Sequence, residues 1–303
     1  MPRIRKDLKD SIFYLFRRDP KTGNVVGPEG TGFLFSPEAD PQRCYAVANW
    51  HVAIRGASII RLNSNGGVRF LEYDPSEWHF RPGRDDIALI EITEELQETD
   101  EIFKLSEEMF VTQEIVEEFE VGLGEDLFMI GMFAESHGGD RNVPAARFGN
   151  LSMLAHPRAL IQLENEARRP AYLGDMRSRG GFSGSPVFVY RTDTTDISSP
   201  YMQLRRQSHP HFRDAYLSDG RSVTHKEWFV GLLGIHCGQF WESVEFRKQK
   251  AEMERRGDPV LEGDNLVVQG GMTIIAPAWE IIDLLHLANS QSLFERLSPP
   301  PAA

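Results

Sequence analysis

The sequence is poor in cysteine and has no long apolar run, and each shortage excludes a class of protein. Its two cysteines, Cys44 and Cys237, are too few for the disulfide framework of a small secreted domain. No segment approaches the roughly 18 apolar residues that a membrane span needs. The first 16 residues include bases but no apolar stretch of signal-peptide length. We therefore expect a cytoplasmic protein with no membrane partner.

Positive charge is also short, since 33 basic residues face 45 acidic ones, for a formal net charge of −12. Residues 91–126 alone contain fourteen carboxylates against one base, Lys104. We interpret this run as solvated surface, with a docking face as the alternative. Because affinity for nucleic acid depends on Lys and Arg neutralising phosphates, no nucleic-acid partner is expected. With no HExxH motif and no paired Cys/His spacing, neither a metal nor a cofactor is expected.

Strand signals are common in the chain, and helix signals are scarce. Short aromatic and β-branched runs alternate with turn-forming residues, as in the turn-rich residues 20–30 and 63–67. This spacing predicts an all-β fold rather than βαβ units. The predicted strands are Ser11–Phe16, Thr31–Phe35, Cys44–Ala48, Ala57–Leu62, Ile87–Ile92, Leu127–Gly131, Arg147–Leu154, Pro186–Tyr190, Phe229–Ile235 and Met272–Ala276.

Three other segments stand apart from the strands. Apolar residues at helical spacing after Pro277 predict a C-terminal α-helix over residues 277–289. Residues 191–226 and 239–265 are predicted as two inserted loops, and the second contains a charged, helix-like stretch. Because long loops in compact domains are usually functional or disordered, both loops are candidates for gating a site.

The strongest local motif is Gly181-Phe182-Ser183-Gly184-Ser185-Pro186, which precedes the apolar run VFVY. A serine nucleophile needs a tight turn that exposes its Oγ, with backbone N–H groups directed at one point to hold an oxyanion. Gly181 permits backbone angles that a Cβ forbids. Ser183 is therefore the candidate nucleophile, and the N–H groups of Gly181 and Ser183 are the candidate oxyanion hole.

The partners of such a serine are a histidine and a carboxylate. His51 comes just after the predicted apolar strand Cys44–Ala48, and Asp86 stands at the start of the buried run Ile87–Ile92. A carboxylate at that position can orient an imidazole. Asp85 is the rival of Asp86, which we favour.

These blocks resemble the chymotrypsin/trypsin-like serine peptidases, in their looser bacterial form. Gly181–Pro186 is similar to the family's G-x-S-G-x-P block, Asp86-Ile87-Ala88-Leu89 to D-I-A-L, and Trp50-His51-Val52 to the histidine block. The order His, Asp, Ser is also the family's, and the early block Gly30–Leu34 resembles G-T-G-F. The resemblance extends over about residues 11–289, with the two insertions unmatched.

The resemblance implies a chymotrypsin-like fold, in which two packed six-stranded antiparallel β-barrels enclose the site. In one peptidase domain spanning 1–303, the first barrel would cover 11–115, with His51 and Asp86, and the second 120–276, with Ser183. The C-terminal helix and the two inserted loops complete this fold.

The resemblance also implies roles for further residues. Phe182 replaces the aspartate that pairs with a new N-terminus in digestive zymogens, so activation of that kind is not expected. The strand ending at Gly238 would pair with a peptide substrate. His236 and Arg177 fall near the family's substrate pocket, which suggests Glu or Gln before the cleaved bond. The alternative is a core histidine and a surface arginine, and Cys237 is interpreted as a packing residue.

The sequence thus predicts a serine endopeptidase that cleaves a peptide or protein through an acyl-enzyme, with His51, Asp86 and Ser183 as its triad. We expect an intracellular processing or regulatory protease, restrained by narrow specificity or by a protein activator. The alternative is a catalytically silent or partner-gated binding module on the same fold. An α/β-hydrolase esterase is disfavoured, because that fold needs G-x-S-x-G and the order Ser, acid, His.

Overall fold

The computed structural model describes residues 4–136, 138–163, 168–176, 180–191, 229–245 and 265–297. Within these ranges the chain forms sixteen β-strands and three α-helices. The helices are Trp50–Ala53 (α1), Gln113–Glu118 (α2) and Trp279–Leu297 (α3). In chain order, β1 to β16 are Ile12–Arg18, Val25–Ser36, Tyr45–Ala48, Ile59–Ser64, Gly67–Glu72, His79–Phe80, Ala88–Glu91, Leu105–Ser106, Asp126–Gly131, Ala145–Met153, Leu160–Gln162, Arg168–Pro170, Tyr172–Asp175, Pro186–Arg191, Phe229–Glu245 and Asn265–Pro277.

The first half of the chain forms an eight-stranded sheet. Its strands follow the order β5-β4-β1-β2-β3-β7-β6, and β8 pairs in parallel with β2. Side chains alternate between the two faces of a strand, so Phe13 and Leu15 of β1 join one core cluster while Tyr14 and Phe16 join another. Both faces of β1 are therefore buried, which explains its continuous apolar run.

The second half forms a closed six-stranded barrel, with the strand order β10-β13-β16-β15-β14-β9. Its pairings are antiparallel throughout. Alternate residues of β9 and β14, such as Leu127, Met129, Val187 and Val189, are fully buried in one cluster. The all-β class and the C-terminal helix are confirmed. The first half differs in detail from the expected six-stranded barrel, because its described pairings give an eight-stranded sheet that does not close.

Several element bounds differ from those predicted, because strand pairing overrides local turn chemistry. Residues 25–30 belong to β2, since Arg17 and Arg18 of β1 pair with Val26 and Val25. Residues 239–245 continue β15 as a hairpin with β16, up to the pair Glu245 and Asn265. Pro277 is paired with Gly234 as the last residue of β16, so the helix starts at Trp279 and continues to Leu297.

The two predicted insertions fall mainly outside the described residues, namely at 192–226 and 246–264. Among the helices that the structure describes, none combines the length and the apolar character needed to cross a bilayer.

Candidate active site

His51 and Asp86 meet because their strands are antiparallel neighbours. Ala48 at the end of β3 pairs with Ala88 at the start of β7, so the residues just beyond lie at the same sheet edge. The His51 Nδ1 atom lies 2.6 Å from Asp86 Oδ2, and the His51 backbone N–H donates to Asp86 Oδ1 at 3.0 Å. Asp86 is fully buried. A buried carboxylate that accepts from Nδ1–H leaves Nε2 as the basic nitrogen of the ring.

The neighbouring carboxylate, Asp85, has a different environment. Its side chain forms an ion pair with the buried Arg81, which also donates to Glu280 Oε2 at 2.6 Å. Burial raises the pKa of Asp85 to about 6, and the nearby Arg81 opposes that rise. Of the two aspartates that the sequence offered, Asp86 is therefore the one beside the imidazole.

The nucleophile loop, residues 180–185, lies between the two halves of the molecule. The Ser183 carbonyl accepts a hydrogen bond from Thr31 N–H of β2 at 2.9 Å. On its other side, Gly184 N–H donates to the His236 carbonyl of β15 at 3.0 Å. Ser183 and His51 line the same open cavity, of about 340 Å³. The fold thus brings the candidate nucleophile and the candidate base to one cleft.

Two glycines of this loop occupy conformations that disfavour other residues. Gly184 has φ = +88°, and a Cβ on it would lie 1.9 Å from the Thr31 carbonyl oxygen. Gly181 has φ = +96°, and its Cβ would lie 2.6 Å from the Met132 methyl group. Both strain and overlap therefore explain why the motif has glycine on either side of Phe182-Ser183.

The backbone around Gly181 has a defined orientation. Its carbonyl accepts from Thr31 Oγ1 at 2.7 Å, and the preceding Gly180 carbonyl accepts from Ala134 N–H at 3.4 Å. In a trans peptide the N–H points opposite to the carbonyl. The Gly181 N–H is therefore directed away from Ala134.

Phe182 is fully buried, and the Arg147 guanidinium lies 5.5 Å from its ring centroid. The residue before the serine is thus an apolar anchor of the loop, with no carboxylate to pair with a new N-terminus. That the protein needs no activation by N-terminal cleavage stays a prediction.

The candidate substrate residues are only partly brought together. His236 is buried beside the nucleophile loop, where its N–H donates to the Ser185 carbonyl at 2.9 Å. Burial and the nearby His51 lower the pKa of His236 to about 4. Gly238 pairs with Ile274 of β16. Arg177 lies outside the described residues.

Sequence reasoning missed residues that hold the candidate triad and its loop in place. Asn49 is buried, and its Nδ2 donates to the Asp86 carbonyl at 2.9 Å and to Cys237 Sγ at 3.5 Å. Burial, and then the Asp86 charge, raise the pKa of the Cys237 thiol, which fits its predicted packing role. Thr31 Oγ1 accepts from Met132 N–H at 2.9 Å while donating to Gly181. Its place in the block Gly30–Leu34 was the available signal.

The same cavity is also lined by three charged residues that the motifs did not reveal. Arg17, Glu29 and Arg55 line it together with His51 and Ser183. These three come from separate segments, so their proximity depends on the pairing of β1 with β2 and on α1. Across the described ranges, His, Cys, Asp and Glu form no cluster of three or more that could hold a metal ion.

Comparison with known proteins gives no match to a family model and none to a curated protein sequence. Solved structures do match. The active form of the Rv3671c protease from M. tuberculosis has 15% identity and a TM-score of 0.44, with 92% of this chain and 81% of that chain covered. Tobacco etch virus protease complexed with product has 12% identity and a TM-score of 0.39, with 89% and 85% covered. Deg5 has 16% identity and a TM-score of 0.39, with 60% and 75% covered.

The described residues form an all-β architecture, as the sequence predicted. Its closed six-stranded barrel and its second β-sheet lie on either side of the cleft that Ser183 and His51 line. The C-terminal helix packs against the first half, where Arg43 Nη1 donates to Asn289 Oδ1 at 3.2 Å.

Proposed function

We propose that the protein is a serine endopeptidase that uses Ser183 as nucleophile, His51 as general base and acid, and Asp86 to orient His51. The observation that carries the proposal is the 2.6 Å contact between His51 Nδ1 and Asp86 Oδ2, on a ring that shares its cavity with Ser183. A histidine held this way by a buried carboxylate, in one cavity with a serine on a glycine-flanked turn, is the arrangement that activates a hydroxyl.

The proposed reaction has two halves. His51 Nε2 takes the proton of Ser183 Oγ as the oxygen attacks the substrate carbonyl, and the N–H groups of Gly181 and Ser183 hold the resulting oxyanion. His51 then gives the proton to the leaving amine, which forms the acyl-enzyme. Water, deprotonated by His51, attacks the ester, and Ser183 Oγ leaves with that proton.

For the residue before the cleaved bond, we propose a preference for Glu or Gln, with His236, Gly238 and Arg177 as the substrate-binding residues. The support is the buried position of His236 next to Ser185, where a neutral imidazole can donate one hydrogen bond to a side-chain carbonyl or carboxyl oxygen. A processing or regulatory role inside the cell, with a protein activator, is part of this proposal. The buried, unbridged Cys44 and Cys237 fit such a setting.

Labelling with a fluorophosphonate probe tests the proposed nucleophile. We expect the wild type to be labelled and Ser183→Ala to lose the label completely, because the probe phosphonylates only an activated serine. Ser185→Ala is the matched control, since Ser185 is a buried neighbour in the same motif and should leave labelling intact. Asp86→Asn should label on the order of 10⁴-fold more slowly, because the imidazole loses its tautomer.

Two labelling results would contradict the proposal. A folded wild type that stays unlabelled, or a Ser183→Ala variant that labels equally, contradicts the proposal. The first outcome would favour the silent or partner-gated binding module on this fold.

A further inference from the structure

Two different surfaces flank Ser183. On one side β15 contacts the nucleophile loop through the paired hydrogen bonds between His236 and residues 184 and 185. On the other side β2 contacts it through Thr31 N–H, and the open cavity of about 340 Å³ lies there. The cavity is bounded by Arg17 and Glu29 of the β1–β2 pair, by Val52 of α1, and by Arg55 and Ala57, which follow α1.

The reaction chemistry decides which part of a substrate reaches this cavity. The leaving amine must approach His51, because that ring returns the proton to it. His51 is itself part of the cavity wall, whereas the part before the cleaved bond is expected along β15. The cavity therefore faces the residues that follow the cleaved bond.

The charges in this cavity contrast with those of the whole chain. Arg17 and Arg55 supply two cations, and Glu29 supplies one carboxylate, so the wall carries a net positive charge in a protein of net charge −12. Arg17 Nε lies 2.8 Å from Glu29 Oε1, but both side chains are more than 40% exposed, at 46% and 42%. An ion pair this exposed contributes little, so a substrate carboxylate can compete with Glu29.

Arg55, the second cation, lies over an aromatic ring. Its guanidinium carbon lies 5.4 Å from the ring centroid of Trp50, the residue before His51. Val52 and Ala57, both buried, give the cavity an apolar base beneath these charges. A short apolar stem that ends in a carboxylate, as in Asp or Glu, matches such a wall.

We propose that this cavity binds the first or second residue after the cleaved bond, and that Arg55, assisted by Arg17, selects a carboxylate there. The inference rests on the proposed function and adds a second specificity determinant to the same site. Glu29 limits this selectivity for a carboxylate, because it competes with the substrate for Arg17.

Acyl transfer tests the cavity without knowledge of the natural substrate. p-Nitrophenyl acetate should acetylate Ser183, with release of p-nitrophenol. An added amine then attacks the acetyl carbonyl, His51 takes the amine proton and passes it to Ser183 Oγ, and an N-acetyl product leaves. The ratio of N-acetyl product to acetate, measured by mass spectrometry, reports how well each amine occupies the leaving-group side.

We expect glutamic acid α-amide to capture about two- to fivefold more acetyl than glutaminamide, the gain typical of a partly exposed ion pair. Argininamide should capture less than glutaminamide. Glycylglycine compared with its amide separates the sources of the carboxylate: a gain there as well would mean that a chain-terminal carboxylate is also accepted.

Variants then assign the effect. Arg55→Ala should remove most of the preference, Arg55→Glu should reverse it toward argininamide, and Glu29→Gln should strengthen it. Arg18→Ala is the matched control and should keep the wild-type ratio, because Arg18 is a neighbour on β1 that bonds instead with Glu72 and the Gly23 carbonyl.

Two results overturn the inference, and they are distinguishable. If Ser183 is acetylated but glutamic acid α-amide and glutaminamide capture equally, the cavity has no carboxylate selectivity and the peptidase proposal stands. If Ser183 is not acetylated at all, both proposals fail together.

Discussion

At the residue scale, the pKa values of two buried groups beside the site are shifted in opposite directions. His236 has a pKa lowered to about 4, because burial and the nearby His51 disfavour its cation. Asp85 has a pKa raised to about 6, because burial disfavours its anion. Between these values the folded protein takes up a proton at Asp85 more readily, and at His236 less readily, than the unfolded chain does.

The sign of the His236 contribution follows from this shift. Above about pH 6.5 the ring is neutral in both states and has no effect on stability. As the pH falls from about 6.5 toward about 4, only the unfolded chain is protonated, so folding stability falls by up to about 3 kcal/mol. His236→Leu should show a smaller loss over this range, measured by urea unfolding at several pH values.

The comparison of wild type with His236→Leu isolates the contribution of His236 to the pH dependence of stability. Asp85 contributes with the opposite sign, but it does so equally in both proteins. His286→Gln, a change at an exposed helical position, should keep the wild-type pH dependence. If the curves of stability against pH for wild type and His236→Leu are parallel, the pKa of His236 is the same in the folded and the unfolded state, and the prediction is wrong.

At the scale of elements, helix α3 is tied to the loop that presents Asp86. The buried Arg81 of that loop donates to both the backbone carbonyl and the Oε2 of Glu280, in the first turn of α3, at 3.0 and 2.6 Å. Arg169 of β12 donates to the other oxygen, Oε1, at 2.7 Å. A strand, a loop and a helix thus share one network of buried charges with Asp85.

Removal of the central cation should be costly. Arg81→Ala leaves the carboxylates of Asp85 and Glu280 buried without it, so we expect a loss of about 3–5 kcal/mol in the free energy of unfolding. Arg84→Ala, at an exposed position of the same loop, is the control and should change stability little. Urea unfolding at neutral pH measures both, and equal stability of the two variants would contradict the network's role.

Strands with strong apolar runs could be predicted from the sequence, whereas strands defined by their partners could not. β7 and β14 are apolar on both faces and were found within one or two residues. β13, with the sequence YLGD, is short and contains Gly and Asp, yet it closes the barrel by pairing with β10 and β16. Its strand character comes from those neighbours, which are distant in sequence.

The residues of the candidate site likewise differ in whether the sequence could predict them. The motifs around His51, Asp86 and Ser183 each carry a local signal, because a turn, a strand start and a glycine-flanked serine are readable in one segment. Arg17 and Arg55 carry none, because each is an ordinary surface arginine until pairing brings β1, β2 and α1 together around the cavity.

At the scale of the whole molecule, Thr31 joins the sheet of the first half to the barrel of the second. Its hydroxyl donates to the Gly181 carbonyl at 2.7 Å and accepts from Met132 N–H at 2.9 Å. Its backbone N–H bonds the Ser183 carbonyl. One fully buried residue of β2 therefore fixes the nucleophile loop from the opposite half.

Thr31→Val keeps the shape of this side chain and removes its hydroxyl. The Gly181 carbonyl and Met132 N–H then lose their shared partner, at an expected cost of about 1–3 kcal/mol in unfolding free energy. Fluorophosphonate labelling should also slow, because Gly181 is part of the proposed oxyanion hole. Thr99→Val, at an exposed position, should alter neither measurement, and unchanged labelling in Thr31→Val would argue against the link to catalysis.

The overlap at Gly184 has a consequence for evolution. The Thr31 carbonyl oxygen fills the place of a Cβ there, so the glycine is required by the junction of the two halves whatever chemistry the cleft performs. A descendant of this protein that loses the proposed peptidase activity is free to exchange Ser183, the proposed nucleophile, but not Gly184. Retention of Gly184 in a lineage therefore indicates that the junction of the two halves is kept, whereas retention of Ser183 bears on the proposed activity.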